Sequence, residues 1–126
     1  MKTIEEKIIE TLNGCNGEGV KKLSCRDRVE VNGNTKKYYL WDSLIFWNDA
    51  ENNYCFSARG WNSLTTKSRL NALLLTFFVA SITQKDYKWT LNWNGKKYTV
   101  DPSSVYKFNN NKLYRLGVHE EEVKPL

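Results

Sequence analysis

The chain has 126 residues, of which 40% are hydrophobic, 13% aromatic and 26% charged. That length and apolar content suit one domain with a buried core, and exclude both intrinsic disorder and a disulfide-stapled miniprotein. Nineteen Lys and Arg against fourteen Asp and Glu give +5; the last eight residues hold three Glu and one Lys, which leaves +7 on the body. Such a surface concentrates anions, whether nucleotides, phosphodiesters or acidic proteins, although the same charge also serves plain solubility.

In chain order, Thr3 and Glu6 form a capping box ahead of Ile4, Ile8, Ile9 and Leu12, whose spacing predicts an amphipathic helix over 4–12 that Asn13-Gly14 ends. Residues 15–19 read as loop, and their glycines match no phosphate-loop or dinucleotide fingerprint. From 20 to 59 short runs rich in Val, Tyr, Phe, Trp and Leu predict strands. One hairpin joins 28–31 to 37–41 through Asn32-Gly33-Asn34, and a second joins 44–47 to 54–58. A second helix, 66 to about 79, takes Ser63 or Thr65 as its cap and buries Leu70, Leu73, Leu74, Phe77 and Phe78.

Asn94-Gly95 then predicts a two-residue hairpin between 87–93 and 96–100, pairing Trp93 with Lys96, Leu91 with Tyr98 and Trp89 with Val100. Strand alternation puts the large aromatics of this hairpin on one face, which serves either as core or as a stacking platform. Asp101-Pro102 breaks the chain. Residues 105–108 suggest an edge strand, 113–118 a last strand, and 119–126 a mobile acidic tail. The expected fold is α+β: one domain over 1–118, with an N-terminal helix, antiparallel hairpins forming one sheet, and a central helix packed on it.

The chemistry available is narrow. Cys15, Cys25 and Cys55 form no Cys-x-x-Cys pair and are odd in number, so reduced thiols are expected; His119 is the single histidine and stands in the acidic tail. Asp27, Asp42, Asp49, Asp86 and Asp101 are scattered. No catalytic residue, metal site or cofactor is therefore expected, and the protein is read as a non-enzyme. The longest apolar run, 72–80, is far short of the roughly 20 residues of a membrane span, and the acidic N-terminus does not resemble a targeting peptide, so a cytosolic location is expected.

The most unusual stretch is the strand, glycine turn and helix start around Arg59-Gly60-Trp61-Asn62, followed by Thr65-Thr66-Lys67-Ser68-Arg69. Free N–H groups and the positive end of a helix dipole converge there beside hydroxyl and cationic donors, as an anion site requires, although Ser and Thr before a helix are also its ordinary caps. Lys67 and Arg69 oppose the dipole, at a cost of a few tenths of a kcal/mol, unless an anion or an acidic partner compensates.

The segment from Gly60-Trp61 through Thr65-Thr66-Lys67 to Arg69-Leu70-Asn71, with its flanks over about 23–108, resembles a family of small phage-encoded proteins. It is similar to the Thoeris anti-defence sponges, and that resemblance implies a counter-defence protein binding a cyclic ADP-ribose type signal in a pocket at a dimer interface. Two functions follow. The first is a non-enzymatic sponge for a small anionic nucleotide, with Trp61, Trp89 or Trp93 stacking on the base. Arg59, Lys67, Arg69, Arg28 and Arg115 would hold phosphate beside Thr65 and Thr66, and Asn62 or Asn92 would read the base edge. The second is a nucleic-acid-binding or anti-CRISPR-like inhibitor using the same surface. Five tryptophans in so short a chain also predict a homodimer or higher homo-oligomer.

Overall fold

The structure is a computed structural model that describes residues 2–126. Helix α1 (Ile4–Leu12) opens with Thr3, whose hydroxyl accepts from the Glu6 amide at 3.1 Å, and turns its Ile8 and Leu12 side into the core. There follow β1 (Gly19–Lys22), β2 (Asp27–Asn32), β3 (Thr35–Leu40), β4 (Ser43–Asn48) and β5 (Tyr54–Phe56), all antiparallel to their neighbours. Helix α2 (Leu64–Phe78) takes the chain out of this sheet. It leads into β6 (Ser81–Lys85), β7 (Lys88–Trp93) and β8 (Lys96–Val100) before β9 (Val105–Asn109) returns beside β5, followed by β10 (Lys112–Leu116) and β11 (Glu120–Glu122).

The α+β class is as the sequence implies, but the strands divide between two sheets where one was expected. Eight strands run in the order β1-β2-β3-β4-β5-β9-β10-β11, and β6-β7-β8 form a small separate sheet. The reason lies in α2, which carries the chain away from β5 before a new three-stranded unit forms. An Asn71 clamp then fastens that unit to the helix: its carboxamide accepts from the Ile82 amide at 2.6 Å and donates to the Ile82 carbonyl at 3.1 Å.

The Asn94-Gly95 hairpin has the predicted register at all three pairs. Its apolar face, Trp89, Leu91, Trp93, Tyr98 and Val100, is buried, each large side chain contributing about 1.5–3 kcal/mol. The first hairpin turns on two residues, Gly33 and Asn34, and not on three, because Asn32 already pairs with Thr35. Two further expectations are corrected. The strand expected at an edge over 105–108 is internal, since β9 lies between β5 and β10. Nor does 119–126 hang free: β11 pairs with β10, Val123 N–H donates to the Leu113 carbonyl, and Leu126 N–H reaches the Lys97 carbonyl at 2.7 Å. Among the described residues no helix is long and apolar enough to cross a membrane.

Candidate functional site

Ser63 caps α2, its hydroxyl accepting from the Thr66 amide at 3.2 Å and standing 3.0 Å from the Thr66 hydroxyl. The cations expected to face a phosphate here do not converge. Arg69 is buried, and donates from Nε to Asp27 Oδ1 at 2.9 Å and from a terminal nitrogen to Glu5. Asp27 also accepts from Ser24 at 2.6 Å and from the Tyr38 hydroxyl. Burial would raise the Asp27 carboxyl, but the hydrogen bonds from Arg69, Ser24 and Tyr38, with the Arg69 charge, outweigh it and hold the group below its ordinary value. The compensation that a cation at a helix start demands is thus supplied by the chain's own carboxylates. Arg69 ties α2 to α1 and β2, and has no free face for a ligand.

The other candidates separate as well. Trp89 and Trp93 are only 3% and 6% exposed, which removes both as stacking platforms. Asn92 bonds Ser81 and Thr83 on the outer face of the small sheet, and Arg115 lies on β10 at the far end of the large one. Lys67 reaches Gln84 at 3.1 Å. Arg59 donates to the Leu44 carbonyl at 2.9 Å with its guanidinium 5.1 Å from the Trp47 ring, and Asn62 is exposed beside Trp61.

What the fold does bring together is Trp61, Thr65, Thr66 and Arg28, around a residue the sequence reading passed over. Trp41 and Trp61 are 58% and 55% exposed. They line a cavity of about 220 Å³ whose remaining walls are Leu40, Ile45, Ser63, Thr65 and Thr66. Trp41 also borders a second hollow of about 210 Å³, whose cations are Lys22, Arg26 and Arg28 and whose carboxylates are Asp27 and Asp42. Asp27 is already engaged by Arg69, and Asp42 by Arg28 at 2.7 Å, while Lys22 and Arg26 form no ion pair among the described residues. The Arg28 guanidinium lies 4.3 Å from the Tyr39 ring centroid, which fixes its plane.

Trp41 and Asp42 form the β3–β4 turn with φ of +51° and +64°. A bulky residue in that region costs on the order of 1–3 kcal/mol and is retained only where the surroundings enforce it. Here the Trp41 amide is anchored to the Arg26 carbonyl at 2.9 Å. The result is an indole held in solvent between an apolar slot and a cationic hollow. Each compartment suits one half of a nucleotide: a planar ring in the slot, an anionic group beside Lys22 and Arg26. The sequence signal for this was the Trp41-Asp42 pair standing between two strand-like runs, where a tryptophan in a tight turn would face water.

A model of the Kyanoviridae Gp96 protein family matches residues 1–115, nearly the full length. Neither a curated protein nor a solved structure matches the chain.

Proposed function

We propose that this chain, which belongs to the Kyanoviridae Gp96 family of phage-encoded proteins, binds and sequesters a small nucleotide without converting it. The carrying observation is the shared Trp41 wall between the slot and the cationic hollow. A base enters between Trp41 and Trp61, where stacking contributes about 1–3 kcal/mol per aromatic, and the phosphates settle against Lys22, Arg26 and the outward edge of Arg28. Together these suffice for micromolar binding. A cyclic ADP-ribose type signal has the right chemistry, and the resemblance to anti-defence sponges points the same way. The family match itself speaks only for a phage-encoded protein. Leu64, 78% exposed, lies in the chain between the slot residues Ser63 and Thr65, so a second copy covering Trp41, Trp61 and Leu64 would close the pocket and account for the expected dimer.

One observation favours the nucleic-acid reading. The outer face of the small sheet presents Lys85, Lys88 and Lys97 beside Thr83, Thr90 and Thr99, and among the described residues none of the three lysines is ion-paired. Salt separates the two readings. Affinity for single-stranded DNA on that face falls steeply as several counterions are released, whereas a nucleotide held in the Trp41 slot responds weakly. The experiment is to incubate the protein with cyclic ADP-ribose, wash, heat and identify the released molecule by mass. Intact ligand supports sequestration; a converted product, or none from a protein that instead retains DNA, overturns it.

A further inference from the structure

At the opposite end of α2 three hairpin turns meet: residues 49–53, Asn94-Gly95 and Asn110-Asn111. With the helix C-terminus they surround a groove of about 510 Å³. Its floor is aromatic, made by the half-buried Tyr54, Phe77 and Phe78 over the buried Trp93 and Phe108. Its rim is carboxamide, made by Asn52, Asn53, Asn94, Asn109, Asn110 and Asn111. Turn chemistry explains four of these, because Asn52, Asn94, Asn110 and Asn111 have positive φ, a region asparagine tolerates. It leaves Asn53 and Asn109 unexplained. Asn52 accepts a hydrogen bond from Asn48 at 2.9 Å; the other five rim carboxamides bond no other described residue.

The lining selects the ligand. No charged side chain borders the groove, so a phosphate or carboxylate would enter uncompensated, which favours a neutral molecule. Five open carboxamides each offer a donor pair and an acceptor, the pattern that matches adjacent hydroxyls. The floor rings close on one another, Phe78 on Phe108 at 4.1 Å and Tyr54 on Phe77 at 5.1 Å, and leave no slot between parallel faces for a planar base. A pyranose needs only one apolar surface beneath its C–H face and donors around its edge. We infer that this groove is a binding site for a neutral carbohydrate, separate from the Trp41 slot.

The test is a ¹H–¹⁵N NMR titration of the full chain with glucose, galactose, mannose and N-acetylglucosamine, following the asparagine side-chain amides. The expected result is saturable shifts at Asn53, Asn109 and Asn94 with at least one sugar at millimolar concentration, weakened about tenfold or more in Asn53→Ala/Asn109→Ala. Neither of those positions has positive φ, so the variant keeps its fold, checked by its unchanged backbone spectrum. Trp41→Ala leaves the sugar response intact, so the two sites fail independently. No saturable shift with any of the four, shifts produced equally by adenosine, or undiminished binding in the double variant would overturn the inference.

Discussion

Replacing Arg69 by methionine removes the one cation that serves Asp27, a carboxylate with no exposed side-chain surface, and also releases Glu5. Two unit charges at this range interact by about 4 kcal/mol at an effective dielectric of 20, and breaking buried pairs by removing one partner costs about 3–5 kcal/mol. That is a third or more of the stability of many domains. With a urea slope of roughly 1.5 kcal/mol/M, the midpoint at pH 7 falls by about 2–3 M, read by far-UV circular dichroism. The pH dependence gives a second readout. Because the folded-state value of Asp27 lies below its ordinary 3.8, its contribution is complete above that value and disappears as pH falls through the folded value. In the variant burial acts unopposed by Arg69, and the neutral carboxyl is accepted more easily, so the gap between the two proteins narrows below about pH 4. A loss under 1 kcal/mol at pH 7, or a gap independent of pH, would refute the structural role of Arg69 and return it to the pool of ligand-binding cations.

Trp41→Ala and Trp61→Ala should each change stability by less than about 1 kcal/mol, since both indoles are more than half exposed, while weakening nucleotide binding about tenfold or more in calorimetric titration. Val79 ends α2 at φ +52° and ψ +44° and is 79% exposed, so Val79→Gly relieves a left-handed valine with little loss of buried surface. A gain of about 0.5–1 kcal/mol is expected in thermal unfolding. Iodoacetamide at pH 8 should label Cys15 and Cys25 in the folded protein and spare Cys55, whose thiol is buried and pushed up to about 11, mainly by that burial. Mass spectrometry counts the adducts; three under native conditions would contradict the packing around β5.

Both helices and the Asn-Gly hairpin were legible because local chemistry decides them: Thr3 and Glu6 cap one helix, Ser63 the other, and Asn94-Gly95 permits only one register. β6 was not, since Ser81–Lys85 has one apolar residue and is held by Asn71 from another element. The acidic end escaped notice for a similar reason. Glu120 and Glu122 read as solvated charge, yet in the fold they pair with Lys107 and Lys112 across the sheet. At the site, the excess of cations around α2 was visible in the sequence, but the carboxylates that absorb Arg69 lie 42 and 64 residues away. Contacts of that separation leave no periodic trace. Trp89 and Trp93 show the complementary error: their strand face reads as core ahead of platform, yet both stand among the stacking candidates, and the fold buries them.

The proposed sequestration rests on Trp41 as the wall common to the apolar slot and the cationic hollow. Tryptophan fluorescence titrated with cyclic ADP-ribose at low and high salt tests this most directly, comparing the wild-type protein with Trp41→Phe and with Lys22→Ala/Arg26→Ala. The prediction is saturable quenching at micromolar ligand in the wild type. Trp41→Phe should reduce the quenching amplitude, Lys22→Ala/Arg26→Ala should lower the affinity about tenfold with that amplitude intact, and high salt should lower the wild-type affinity by no more than that. Quenching that persists undiminished in both variants, or that never saturates, would contradict it.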